Sequence, residues 1–188
     1  TPQVARIAAT RMRDMPLPFR LCYSGRVLRH TEQQLGKDRQ IYQSGVELIG
    51  LSGPEADAEM IAMAVMCLQA VGATGFTIDI GQVEFLRGVL DDLPLDAAQS
   101  RDVRTAIAAK DISGLQQKLK GLPLTDRQHD ELLALPRLYG GRETLDQARQ
   151  VITNPASQKA LDNLERILEV LTVYGIEEHI TLDLGEMR

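Results

Sequence analysis

Two segments rich in β-branched and aromatic residues, 19–29 and 40–50, most strongly constrain how this chain can fold. Neither shows the three-to-four-residue apolar spacing of a helix, so both are predicted to be strands. The segment between them, 31–38, is polar and contains Gly36, which is typical of a hairpin loop. We therefore expect a long antiparallel hairpin over residues 19–50.

Helical patterns flank the hairpin. Thr1 and Pro2 suit an N-cap and first helical position, and the apolar spacing that follows predicts a short helix that stops before Pro18. A second helix is predicted from Pro54 to Val71, where Gly72 ends it. The fold class expected from these elements is α+β, an antiparallel sheet flanked by helices.

A helical pattern followed by a short strand-like segment occurs twice in the sequence. The phrases T-I-D-I-G at 77–81 and T-L-D-L-G at 181–185 each follow a helical pattern, which suggests two strands of one sheet. Between them, nothing from 84 to 173 has the pattern of a strand, and Pro and Gly punctuate helical stretches. We expect a core at 1–83, a helical insertion at 84–173 and a returning core strand at 174–188.

Composition excludes several classes of protein. The 188 residues are 44% hydrophobic and 25% charged, which indicates a soluble globular protein, and no apolar stretch is long enough to span a membrane. A net charge of −5 argues against a general nucleic-acid binder. The chain carries no initiator Met and no signal peptide, so we expect a cytoplasmic fragment of a longer gene product.

Cys22 and Cys67 are the two cysteines of the chain, and no CxxC spacing or histidine cluster accompanies them. We therefore expect buried or half-buried thiols, no metal site and no cofactor. The three histidines are isolated from any nucleophile in the sequence, so no catalytic residue is assigned.

The second predicted strand carries the most informative polar pattern. Alternation places Gln43, Gly45 and Glu47 on one face and Tyr42, Ser44 and Val46 on the other. A carboxylate and an amide beside a residue without a side chain could form a floor for a small ligand that bears an amine. Alternatively, Gln43 and Glu47 lie on a solvated face and Gly45 marks a bulge.

Basic residues surround the predicted loop. They suit an anion-binding role through charge-assisted hydrogen bonds, or they belong to an ordinary solvated hairpin that Glu32 and Asp38 partly neutralise. The basic residues are Arg26, Arg29, Lys37 and Arg39.

Residues 20–29 and 39–50 resemble motif 2 of the histidyl-tRNA synthetases, and the resemblance extends upstream to Thr1 and downstream through 53–59. It implies a class II aminoacyl-tRNA synthetase-like fold. It also implies that a histidine ligand contacts the residues at four pocket positions and that two arginines bind an anion, Arg29 facing an ATP α-phosphate. The pocket residues are Thr1, Gln43, Glu47 and Arg188, and the anion-binding residues are Arg29 and Arg39.

Departures from the synthetase pattern refine this resemblance. Thr31 stands where synthetases place the glutamate that recognises adenine, so adenylate formation is not expected. Residues 135–141 (L-P-R-L-Y-G-G) and 183–188 resemble the synthetase-derived regulatory subunits of ATP phosphoribosyltransferase. An alternative is the catalytic core of a histidyl-tRNA synthetase with a drifted motif 2, and a third is an RNA-binding or amino-acid-binding module of the same fold.

The regulatory-subunit resemblance implies a non-catalytic member of a glycosyltransferase complex that performs the first step of histidine biosynthesis. It implies three interactions: with a short-form catalytic subunit, with a second copy of the chain, and with histidine as a feedback inhibitor. tRNA is not an expected partner, because the chain is acidic.

Overall fold

The structure is a computed structural model that describes residues 2–28, 40–91 and 93–186. It divides into two compact units, Thr1–Met60 and Ile61–Arg188. Within the described residues, no helix is both long and apolar enough to cross a bilayer.

The first unit contains helix α1 (Pro2–Thr10), strands β1 (Phe19–Leu28) and β2 (Gln40–Ile49), and the beginning of α2 (Pro54–Ala70). The predicted hairpin is confirmed: β1 and β2 pair antiparallel without interruption, from Phe19 opposite Ile49 to Leu28 opposite Gln40. The ladder therefore contains no bulge at Gly45, and that alternative interpretation is wrong. The predicted loop at 31–38 lies outside the described residues.

The second unit contains a three-stranded sheet in the order β3–β5–β4. Strand β3 (Ile78–Ile80) pairs in parallel with β5 (Ile180–Asp183), which confirms that the two related phrases belong to one sheet. Strand β4 (Tyr139–Gly140) pairs antiparallel with β5, Tyr139 opposite Asp183. The expectation that 84–173 would contain no strand is wrong at this point, because two residues of that segment pair with β5.

The helices of the second unit form its core. They are α3 (Val83–Leu90), α4 (Ala97–Ala108), α5 (Ile112–Leu119), α6 (Asp126–Ala134), α7 (Glu143–Val151) and α8 (Pro155–Tyr174). Helix α8 begins at Pro155 because the Asn154 side chain accepts a hydrogen bond from the Ser157 amide, and it ends at Gly175, which has a positive φ of 64°. Its apolar stripe is buried, as are the apolar faces of α3 and α4.

Close contact between α3 and α8 depends on Gly88. A Cβ built on this glycine would lie 2.6 Å from Ser157 Oγ and 2.8 Å from Asn154 Oδ1. The Ser157 hydroxyl is fully buried and donates to the Phe85 carbonyl at 2.6 Å. The Ser157 hydroxyl thus joins α8 to α3 by a hydrogen bond to the α3 backbone. One turn further along α3, the lack of a side chain at Gly88 leaves room for this close approach.

Candidate functional site

The β1–β2 register decides which side chains share a face of the hairpin. Directly opposed residues of an antiparallel pair project from the same side of the sheet. Leu21 lies opposite Glu47, Tyr23 opposite Gly45, and Gly25 opposite Gln43. One face therefore carries the predicted polar residues of β2 together with Tyr23 of β1, and we refer to it as the Tyr23 face.

The Tyr23 face is sheltered relative to the other side of the hairpin. Gln43 and Glu47 are half-buried, whereas Tyr42 on the opposite face is 72% exposed. Gln43 and Glu47 are therefore partly sheltered from solvent and lie on the less exposed face of the hairpin. Ser24 and Ser44 lie on the exposed face, where their hydroxyls are 2.8 Å apart.

The space over Gly45 is filled by Tyr23. A Cβ at position 45 would lie 2.5 Å from Cζ and Oη of the tyrosine, so the glycine is required for this approach. Gln43 Nε2 donates to Tyr23 Oη at 2.7 Å in a partly buried hydrogen bond. The gap predicted at Gly45, between Gln43 and Glu47, is thus occupied by the Tyr23 ring and is not open to a ligand.

Two clefts border the Tyr23 face. The first, of about 790 Å³, is lined by the start of α1, by β1 from Tyr23 to Leu28, and by Gln43. The second, of about 840 Å³, is lined by α1, Leu17, Phe19, Ile49 and Glu47 and is mostly apolar. The structure therefore brings Gln43 and Glu47 to one face of the hairpin but places them beside different clefts.

Four of the six predicted site residues lie outside the part of the chain that the structure describes: Thr1, Arg29, Arg39 and Arg188. Thr31 and Lys37 lie outside it as well. Arg26 is described: its register opposite Tyr42 places it on the exposed face, and it also borders the cleft that Gln43 lines.

A bidentate ion pair joins β1 to the start of α2. Arg20 Nε and Nη2 donate to the two carboxylate oxygens of Glu59 at 2.6 and 2.8 Å. This hydrogen bonding raises the pKa of Arg20, and it lowers the pKa of Glu59 below its ordinary value of 4.5. The pair thus links the start of α2 to β1 at the protein surface.

Neither cysteine is buried, contrary to expectation. Cys22 lies on the exposed face of β1, and Cys67 lies on the outward side of α2; both are free thiols. Among the residues described, no three His, Cys, Asp or Glu side chains are grouped as a metal ion would require.

Sequence reasoning missed Tyr23 as a member of the polar face. Alternation along β1 places Leu21, Tyr23 and Gly25 together, but it does not say which of these residues meets which residue of β2. That assignment depends on the register, and the register depends on the length and geometry of the connecting loop.

Solved structures share this fold. One described as an ATP phosphoribosyltransferase regulatory subunit/histidyl-tRNA synthetase from Bacillus halodurans is 31% identical, with a TM-score of 0.90, and the match covers 100% of this chain and 48% of that one. A histidyl-tRNA synthetase from Nostoc is 20% identical, with a TM-score of 0.75, over 100% of this chain and 44% of that one. The α+β architecture and the motif 2 hairpin are those of a class II aminoacyl-tRNA synthetase-like protein.

The family can be stated more narrowly. The chain belongs to the histidyl-tRNA synthetase family, whose model matches residues 1–188. A protein of Syntrophotalea carbinolica named ATP phosphoribosyltransferase regulatory subunit is 65% identical over 188 residues, which are 100% of this chain and 44% of that protein. The chain thus spans less than half the length of this relative.

Proposed function

We propose that the whole protein is a non-catalytic regulatory subunit of ATP phosphoribosyltransferase. The observation that carries this proposal is the 65% identity, over the full chain, to a protein of that name. The match at a TM-score of 0.90 to a structure described partly in the same terms agrees with it. In this proposal the complex is a glycosyltransferase that condenses ATP with phosphoribosyl pyrophosphate, in the first step of histidine biosynthesis, and synthetase activity has been lost.

The proposed partners follow from this role. A short-form catalytic subunit would require the regulatory chain for assembly, and the regulatory chain would itself form a homodimer within the hetero-oligomer. Such a complex would work in the cytoplasm, where its substrates are made. Histidine is the proposed effector, and it can inhibit only if it binds the less active state more tightly than the active one.

The proposed histidine site uses the Tyr23 face. Glu47 would accept hydrogen bonds from the ammonium group of the amino acid, and Gln43 would contact its polar backbone end. Thr1 and Arg188 would complete the site, while Arg29 and Arg39 would hold an anionic group. Supporting this assignment, Gln43 and Glu47 are half-buried residues of one strand face.

The decisive experiment for the subunit role mixes the full-length protein with a short catalytic subunit. We expect the mixture to form phosphoribosyl-ATP at a rate that neither protein shows alone, and we expect histidine to lower that rate. If the mixture gains no activity and no sensitivity to histidine, the proposal is wrong.

The histidine site is tested by calorimetry on Glu47→Gln. A hydrogen bond to a charged group contributes about 1.5–3 kcal/mol, and Gln keeps an acceptor but loses the charge, so histidine affinity should fall by up to roughly 100-fold. Ser44→Ala, on the opposite face of the same strand, is the matched control and should bind like the wild type. Unchanged affinity in Glu47→Gln would contradict the assignment.

A working histidyl-tRNA synthetase is the second candidate, favoured by the family model and the Nostoc structure. Histidine-dependent exchange of pyrophosphate into ATP separates the two candidates. A synthetase must catalyse this exchange, whereas a chain with Thr31 in place of the adenine-recognising glutamate should not.

A third candidate is an RNA-binding module. A gel-shift titration with tRNA at physiological salt tests it, and we expect no complex because the chain is acidic.

A further inference from the structure

The contacts of Tyr23 point to a role that its position on β1 alone does not reveal. Its ring fills the volume over Gly45, and its hydroxyl accepts a hydrogen bond from Gln43 Nε2 at 2.7 Å. Tyr23 and Gln43 also line the same cleft of about 790 Å³. The hydrogen bond between Tyr23 and Gln43 thus joins two residues of the same cleft wall.

We propose that Tyr23 is a positioning residue of the amino-acid site, which holds the Gln43 amide in one orientation before a ligand arrives. This inference rests on the proposed histidine site and deepens it. An amide is planar, so a hydrogen bond that fixes the direction of Nε2 also fixes the direction of Oε1. A glutamine that is ordered in advance loses less conformational entropy when it binds a ligand.

Gly45 is what makes this arrangement possible. With any larger residue at position 45, the Tyr23 ring could not lie over the strand, since even a methyl group would come within 2.5 Å of its Cζ and Oη. The pattern Gln-Ser-Gly at 43–45 therefore provides both the amide and the space for the tyrosine that orients it.

The hairpin also offers a matched control for Tyr23. Tyr42 is a strand tyrosine on the opposite, exposed face, and its hydroxyl accepts from Ser24 Oγ at 3.3 Å. Removing either phenolic oxygen leaves an aromatic ring in place. A difference between Tyr23→Phe and Tyr42→Phe is therefore not due to the loss of a strand hydroxyl in general.

The test is histidine calorimetry on the full-length protein with four variants. Tyr23→Phe should weaken binding by roughly 2- to 10-fold, the effect of one neutral hydrogen bond, while Tyr42→Phe should bind like the wild type. Gln43→Ala should also weaken binding. In the double variant, Tyr23→Phe should have no further effect, because its contribution passes through Gln43. If histidine binds the wild type and Tyr23→Phe binds it equally well, the positioning role is wrong and the histidine site stands.

A measurement without ligand tests the positioning role of Tyr23 independently of the proposed histidine site. The side-chain amide resonances of Gln43, assigned by the loss of its signals in Gln43→Ala, should shift and gain mobility in Tyr23→Phe but not in Tyr42→Phe. Unchanged Gln43 resonances in Tyr23→Phe would overturn the positioning role. If the wild type fails to bind histidine, the proposed function fails, and the resonances still decide whether Tyr23 orients Gln43.

Discussion

Tyr23 and Gly45 face each other across the β1–β2 ladder so closely that a Cβ on the glycine would lie 2.5 Å from the tyrosine ring. Swinging the ring aside would break the hydrogen bond that its hydroxyl accepts from Gln43 Nε2 at 2.7 Å. The strand residue that looks like a gap in the sequence is thus a packing position in the folded hairpin.

Gly45→Ala should destabilise the chain because the added methyl group must displace the Tyr23 ring. Overpacking of this kind costs about 1–3 kcal/mol, which urea denaturation would measure as a lower midpoint. Gly25→Ala is the matched control on the same face, since its Cβ would meet nothing within 4 Å. The control should lie within about 0.5 kcal/mol of the wild type. If both variants lost the same free energy of unfolding, the loss would come from replacing any strand glycine and not from the contact with Tyr23.

The two buried hydroxyls of the second unit should respond oppositely to removal. Ser157 Oγ is hydrogen-bonded to the Phe85 carbonyl, whereas Thr144 Oγ1 is buried and, within the described residues, has no hydrogen-bond partner. Ser157→Ala should therefore cost about 1 kcal/mol. Thr144→Val keeps the shape and removes an unsatisfied polar atom, so it should be neutral or stabilise by about 1 kcal/mol. Thermal unfolding of both variants checks the pair, and a loss in Thr144→Val as large as that in Ser157→Ala would contradict it.

The Arg20–Glu59 pair predicts a pH dependence of stability. The pKa of Glu59 in the folded chain is below its ordinary value of 4.5, so the stabilisation is present above about pH 4.5. It is lost as the pH falls through the lower folded pKa, because the carboxyl must then be protonated. Arg20 stays charged throughout this range, since its pKa is raised.

Urea midpoints of the wild type and Glu59→Gln, measured between pH 7 and 3, test this dependence. The wild type should be the more stable at pH 7 by a small margin, since the pair is open to solvent, and the margin should shrink at acidic pH. The same comparison with Arg20→Gln as background should show no pH-dependent margin. If the stability difference between wild type and Glu59→Gln did not change with pH, the Arg20–Glu59 ion pair would not be its source.

Lys110 should contribute more to stability than an ordinary surface lysine. Its Nζ lies 2.7 Å from Asp183 Oδ2 and 4.1 Å from the centroid of the Tyr139 ring, so it ties the end of α4 to β4 and β5. Lys110→Met should lower the melting temperature more than Lys118→Met, whose lysine pairs at 3.6 Å with the exposed Asp102.

The contribution of Lys110 should also depend on pH in the alkaline range. The carboxylate of Asp183 raises the pKa of Lys110 above its ordinary value of 10.5. The stabilisation is therefore complete below about pH 10.5 and is lost as the pH rises through the folded pKa. A difference between wild type and Lys110→Met that persists undiminished at pH 12 would contradict an electrostatic origin.

Patterns of local spacing predicted the main elements. The β-branched and aromatic content of 19–29 and 40–50, together with the lack of helical spacing there, gave the hairpin to within a residue at each end, and Pro54 marked the start of α2. The repeated phrases placed β3 and β5 in one sheet. The start of α8 came from the structure: the helix begins at Pro155, where the Asn154 side chain caps it.

The sequence by itself determined which residues of β2 share a face, because side chains alternate along a strand whatever the strand pairs with. It also carried the resemblance that led to the family. Only the tertiary structure decided that Tyr23 lies over Gly45, that Tyr139 and Gly140 extend the sheet through β5, and that Cys22 and Cys67 face outward. Each of these depends on register or on which face a neighbouring element covers. Those properties follow from the packing free energy of residues far apart in the chain, and local spacing does not encode them.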